Sequence, residues 1–196
     1  ALFLASSLGA RFAAFSVEPF GTQRVNLDTG VTTLPQGGIL VETTNGVRIE
    51  AQYIEYKPAS FILAKEAELL IKEILVRGRE LNLDLVSQKI SIKSFLLKKG
   101  PFANLSADEA YLFAEESILL MRGNITLVSP ELHANLAVIN LRTQQALIIG
   151  PFSYQGKKER DAGSRLFLYL EGSTIKGTSR IPRGVSALEA WTRRMP

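Results

Sequence analysis

His133 is the sole histidine of a chain that has no cysteine. A zinc centre needs three or four converging N, S or O ligands, and one imidazole without thiolates does not supply them. A Ser-His-Asp relay would have to run through this residue, with no Gly-x-Ser-x-Gly turn to present a serine. Between Leu132 and Ala134, His133 reads as a structural or surface residue of a strand. Carboxylates come in close pairs at Glu66/Glu68, Asp108/Glu109 and Glu115/Glu116. Glycoside hydrolysis requires two carboxylates facing across a cleft, about 5–10 Å apart, whereas neighbours at strand ends are expected to be solvated. No glycine-rich loop opens a helix to cradle phosphates. The expectation is a chain that is not an enzyme, with no catalytic residue, no metal and no cofactor.

The elements that would hold such groups are strands. Val47, Ile49, Ala51 and Tyr53 alternate with polar residues, as do Leu81, Leu83 and Leu85, then Ile90 and Ile92, and Leu166, Leu168 and Leu170 opposite Phe167 and Tyr169. Period-two alternation marks half-buried antiparallel strands. Phe61–Ala64, Ile118–Met121 and Ala146–Ile149 are apolar throughout and read as strands covered on both faces. Glu66–Arg77 fits helical spacing too, but its neighbours are strands, and it is assigned as strand. Turn signals such as Asn45-Gly46, Lys57-Pro58, Gly78, Lys99-Gly100-Pro101, Ser129-Pro130 and Gly150-Pro151 recur at intervals suited to an all-β fold. The division expected is an N-terminal anchor stub or docked helix with an extended lead-in over 1–37, a β-domain over 38–180, and a tail over 181–196. In the tail, Ser186–Arg194 suits a short helix capped by Ser186.

Lysine and arginine exceed aspartate and glutamate by 23 to 19, a net charge of +4. The cations are scattered over Lys98-Lys99, Lys157-Lys158 with Arg160, and Arg193-Arg194. A nucleic-acid interface would gather them into one stripe, with aromatics between them, so no nucleic-acid partner is expected. Solvated loops, with a weak pull on anionic lipid head groups, are what this distribution fits. Ala1–Phe15, ALFLASSLGARFAAF, is apolar but shorter than the about 20 residues that span a bilayer. It reads equally as the stub of a signal or anchor segment and as a short helix docked on the domain. A faint repeat at an offset of 56–57 sets Ile62 on Ile118, Leu63 on Leu119, Leu69 on Ile125, Leu75 on Leu132 and Gln88 on Gln145, as in a duplicated stack of hairpins.

The order of several stretches resembles the lipopolysaccharide-transport protein C family (LptC), with the related LptA/OstA-like bridge proteins. They are Arg48-x-x-Ala51-Gln52-Tyr53-x-Glu55-Tyr56, Leu105-Ser106-Ala107-Asp108-Glu109-Ala110, Arg122-Gly123-Asn124-Ile125-Thr126-Leu127, and Leu132 to Gln145 followed by Gly150. The likeness spans roughly residues 47–154. It departs at the N-terminal anchor helix, which is missing or only a stub, and over 155–196. It implies a twisted, open, boat-like β-jellyroll of many short antiparallel strands with an apolar interior. Function would be non-catalytic: passing lipopolysaccharide or a similar lipid from the membrane subunits of an inner-membrane ABC transporter along an edge-to-edge bridge, by β-strand addition. Localisation would be periplasmic, with inner-membrane anchoring through the N-terminus.

On this reading the acyl path is lined by Ile49, Ala51, Tyr53, Leu83, Ile92, Tyr111, Phe113, Ile118, Leu120, Ile125, Leu127 and Val138. Each buried methylene contributes about 0.8 kcal/mol, enough over an acyl chain to hold a lipid without a catalytic group. The alternative is a structural β-module of an envelope complex, its core closed by its own side chains and without bound lipid.

Overall fold

The computed structural model describes Phe12, residues 14–157 and residues 160–196. The expectation of an anchor stub or docked helix over Ala1–Phe15 falls mostly outside these residues. No helix among those described is long and apolar enough to cross a membrane.

The fold is all-β: one open antiparallel sheet of 14 strands. From Val47 onward each strand pairs with the next, a meander built from local hairpins. These strands are β5 (Val47–Lys57), β6 (Phe61–Ile71), β7 (Ile74–Asp84), β8 (Lys89–Lys99), β9 (Ser106–Phe113), β10 (Ile118–Leu127), β11 (Glu131–Asn140), β12 (Gln145–Gln155), β13 (Arg160–Glu171) and β14 (Thr174–Thr178). Glu66–Arg77 is strand on both sides of a tight turn at Lys72-Glu73, as expected. Before them, β1 (Ser16–Pro19) pairs with β4 (Gly38–Glu42), and β2 (Arg24–Val25) pairs with β3 (Thr32–Leu34). Stretch 16–37, expected as a lead-in outside the sheet, therefore supplies three of its strands. With two to four residues each, they are too short for alternation to show in sequence.

β4 covers one half of β5, at Val47–Ala51, and β3 covers the other, at Ile54–Tyr56. The long strands bend between such halves. In β6 the interior residues are Ile62 and Ala64, then Ala67, Leu69 and Ile71, with Glu66 at φ +48° between the sets. In β8 they are Ile90 and Ile92, then Phe95 and Leu97, either side of Ser94 at φ +54°. In β10, Leu119 and Met121 precede Ile125 and Leu127 across Gly123 and Asn124, both at positive φ. A left-handed residue kinks the strand: pairing keeps one register across Glu66 and Ser94, whereas β10 shifts register after Arg122, as a bulge does, and corners of this kind fold a sheet while keeping one face inward. Aligned across neighbouring strands, the kinks form a fold line. Two short arms of the sheet close over one continuous core, in which Ile49, Ile54, Leu83, Ile92, Phe95 and Leu97 are at most 2% exposed. The same phase change explains Tyr53, expected to share a face with Val47, Ile49 and Ala51. Beyond the bend Ile54 turns inward, and Tyr53 is half-buried outside, under Lys65 Nζ at 5.2 Å from its ring centroid.

The outer face of β9–β13 is also apolar. Tyr111, Ile118, Leu120, Val138, Leu147 and Phe167 form a second cluster, roofed by Val185 and Leu188 of the tail, with Trp191 against Phe113 at 5.4 Å between ring centroids. Ile118–Met121 and Ala146–Ile148 are thus covered on both faces, whereas Phe61 and Leu63 are half-exposed. The tail helix starts earlier than expected. One α-turn, α1 (Arg183–Ser186), follows Pro182, and a 3-10 helix continues over Ala187–Arg194. Ser186 is not a cap: it is helical, and its Oγ donates to the Arg183 carbonyl at 2.7 Å.

Candidate functional site

Folding the sheet brings its two rows of turns together opposite the fold line. One row follows β5, β7, β9, β11 and β13; the other follows β6, β8, β10 and β12. Between the rows, towards the C-terminal half, lies a cavity of about 1300 Å³. Its apolar lining includes Ile74, Phe102, Leu141, Tyr154, Leu170 and Ile175. Lys72, Lys99, Arg142, Lys157 and Lys176 stand on the same lining against two carboxylates, Glu73 and Glu131. Lys176 pairs with Glu171, and Glu131 Oε1 lies 3.2 Å from His133 Nε2. The cavity therefore combines an apolar lining with a cationic excess, and exceeds the about 300–1,000 Å³ of ordinary small-ligand pockets.

The N-terminal end of the described residues packs into the interior. Phe12, 5% exposed, belongs to the core there. Its N–H donates to Gln88 Oε1 at 2.5 Å, and its carbonyl accepts from Gln88 Nε2 at 3.2 Å. One carboxamide thus satisfies both backbone groups of a buried residue, which would otherwise be costly. Phe95 and Leu105 belong to the same continuous core.

The twelve positions expected on an acyl path divide between two faces. Ile49, Ala51, Leu83, Ile92, Ile125 and Leu127 face the interior. Tyr111, Ile118, Leu120 and Val138 lie on the opposite face beneath the tail, with Phe113 packed beside them, and Tyr53 lies on the outside of β5. None of the twelve lines the cavity, whose walls come largely from turns. Alternation within strands points to faces, not to turns. The one sequence signal for these turns is the repeat at 56–57: Asp84 and Asn140, Leu85 and Leu141, and Gln88 and Gln144 take like places in their turns, so Gln88 matches Gln144 rather than Gln145.

The paired carboxylates are engaged in structure. Glu68 Oε1 accepts from Lys98 Nζ at 2.8 Å and Arg77 Nη2 at 2.7 Å, and these bonds, Lys98 first, hold its carboxyl below the ordinary range. Glu109 Oε2 accepts from Arg122 Nη2 at 2.5 Å and Nε at 2.9 Å, with the same effect. Burial and the adjacent Glu109 charge push the Tyr111 phenol up. Asp108 accepts from Asn124 Nδ2 at 2.8 Å across the β10 bulge. His133 is on the surface, its side chain 57% exposed. No group of three or more metal-binding side chains occurs among the described residues.

The stretches that carry the sequence resemblance have structural duties. Asp108 of β9 and Gly123-Asn124 of β10 build one corner of the fold line. Asn140 Oδ1 accepts from the backbone N–H groups of Arg142 and Thr143, at 3.0 and 3.1 Å, closing the β11–β12 turn. Gly150 sits at φ +82° at the bend of β12.

No protein-family model and no curated protein matches the chain. Among solved structures it is similar to LptH, the LptA homologous periplasmic component of the conserved lipopolysaccharide transport device from Pseudomonas aeruginosa. That match has 7% identity and a TM-score of 0.49, and covers 59% of this chain and 86% of that one. At that level it assigns no partner or cargo to this chain.

Proposed function

We propose that the chain is a non-catalytic lipid-handling module that takes a long-chain anionic amphiphile, such as lipopolysaccharide, between the two arms of its folded sheet. The carrying observation is the cavity of about 1300 Å³ with its apolar lining and five cations. Acyl chains entering there gain about 0.8 kcal/mol per buried methylene, and Lys72, Lys99, Arg142 and Lys157 stand where a phosphorylated head group would rest. Deeper entry between the arms would displace the packing of Leu83, Ile92, Ile125 and Leu127, which are at most 3% exposed in the closed core. β1 and β14 end the main strand order, and β2 ends a side branch through β3. Unpaired edge backbone is a liability unless something pairs with it, and strand addition by a bridge protein or by transporter subunits would use it. The sequence resemblance points the same way, towards a periplasmic bridge fed by an inner-membrane transporter.

A second reading, a structural β-module without lipid, draws on the continuous core, where residues such as Phe12, Phe95 and Leu105 fill the interior with the chain's own side chains. Co-elution separates the two. Purified protein incubated with lipopolysaccharide should retain it through gel filtration, and replacing Lys72, Lys99, Arg142 and Lys157 with alanine should reduce the amount retained several-fold. Protein that emerges without lipid under all conditions supports the structural module.

A further inference from the structure

Two turns in one row have the same construction. In the β7–β8 turn, Asp84 Oδ1 accepts from the N–H groups of Val86 and Ser87 at 2.9 and 3.1 Å, Leu85 N–H donates to the Ser60 carbonyl of the preceding turn at 2.9 Å, and Gln88 closes the turn at φ +59°. In the β11–β12 turn, Asn140 Oδ1 accepts from Arg142 and Thr143, Leu141 N–H donates to the Ser117 carbonyl at 2.9 Å, and Gln144 closes the turn at φ +56°. Positive φ is uncommon for a non-glycine residue, and here it fixes where each glutamine leaves the backbone. The two turns lie four strands apart, roughly 19 Å at the usual strand spacing.

They differ in occupancy. Gln88 holds the backbone of Phe12, whose ring enters the core beside it. Gln144 lines the cavity, and its carboxamide has no hydrogen-bond partner among the described residues. Leu141, the counterpart of Leu85, and Leu170 lie on the same wall.

We infer that Gln144 is a second backbone clamp. It receives an extended peptide segment supplied in trans, pairing with the N–H and C=O of one residue while that residue's aromatic side chain enters the cavity. The ligand class is set by Gln88: a carboxamide aligned with a peptide unit satisfies a donor and an acceptor together, and the neighbouring apolar space gives the side chain its burial. This goes beyond lipid handling and does not depend on it. A partner segment bound there would occupy the same space as an acyl chain and displace it.

The probe is the N-acetylated, C-amidated peptide of residues 12–16, FAAFS, added to the full chain and followed through the side-chain NH₂ signals of glutamine in ¹⁵N NMR. The Gln144 signals should shift and saturate. Gln144→Gly, which removes the carboxamide and relaxes the positive φ, should weaken binding at least tenfold, as should a peptide with alanine in place of its first phenylalanine. Gln144→Asn, a residue that also accepts the left-handed backbone, withdraws the amide by one methylene and should weaken binding similarly. Unshifted Gln144 signals, an affinity within twofold of wild type in Gln144→Gly, or shifts confined to Gln88 would each overturn the clamp.

Discussion

A β-carbon added to Gly123 would lie 2.7 Å from Oδ2 of Asp108, closer than real side chains approach, at a residue whose φ is +81°. The glycine is there because β10 must bend under the β9 carboxylate. Gly123→Ala should cost about 1–3 kcal/mol, from the left-handed strain alone before any clash. Urea unfolding of Gly123→Ala, Asp108→Ala and the double variant checks this. The double variant should recover the clash and retain the strain.

Arg122 ties the tail to the sheet. Its Nη1 donates to the Pro196 carbonyl at 3.0 Å while Nη2 and Nε hold Glu109. Trp191 is the single tryptophan, so its emission reports tail docking. Arg122→Met should red-shift that emission with little change in far-UV circular dichroism. An unshifted spectrum would mean that the apolar cover and the Arg165–Glu189 and Arg194–Glu116 pairs hold the tail without Arg122.

Acid should loosen the same contact. The carboxyls of Glu109 and Glu68 are held below their ordinary range. A depressed carboxylate contributes stability above its unfolded pKa and loses it as pH falls through the folded value. Stability should therefore be flat from neutral pH down to the ordinary carboxylate range and fall below it. Glu109→Gln and Glu68→Gln should each flatten the fall, by a modest amount because both side chains are at least one-third exposed.

Removing the Gln88 carboxamide leaves the backbone N–H and C=O of Phe12 buried without their partners. Gln88→Gly, which keeps the left-handed turn, should destabilise by about 1–3 kcal/mol and speed hydrogen exchange at Phe12 N–H. Phe12→Ala empties the ring's place in the core, at about 3–5 kcal/mol.

Most strands were legible in sequence because alternation survives within each straight arm: Leu81 and Leu83, Ile90 and Ile92, and Leu166 and Leu168 all face the core. The fold line was not legible. It falls on Glu66 and Ser94, residues with no turn signature, and on Gly150-Pro151, which reads as a turn but bends β12 within the strand, and in β5, β6 and β8 the kink reverses the alternation beyond it. That reversal misplaced Tyr53. The apolar outer face of β9–β13 read as more lining, because nothing local distinguishes Leu120 from Met121 when both are buried, one under the tail and the other in the core. The cavity belongs to turns of mixed polarity such as Lys99–Asn104 and Val128–Glu131, where periodicity is silent.

On the proposed function, lipid lies between the arms. The direct measurement is photo-crosslinking in cells, with a benzophenone residue at Leu170 or Ile175 in the cavity and at Leu120 beneath the tail. Lipid adducts are expected at the two cavity positions and none at Leu120. Absence of adducts at Leu170 and Ile175, or equal capture at Leu120, would contradict it.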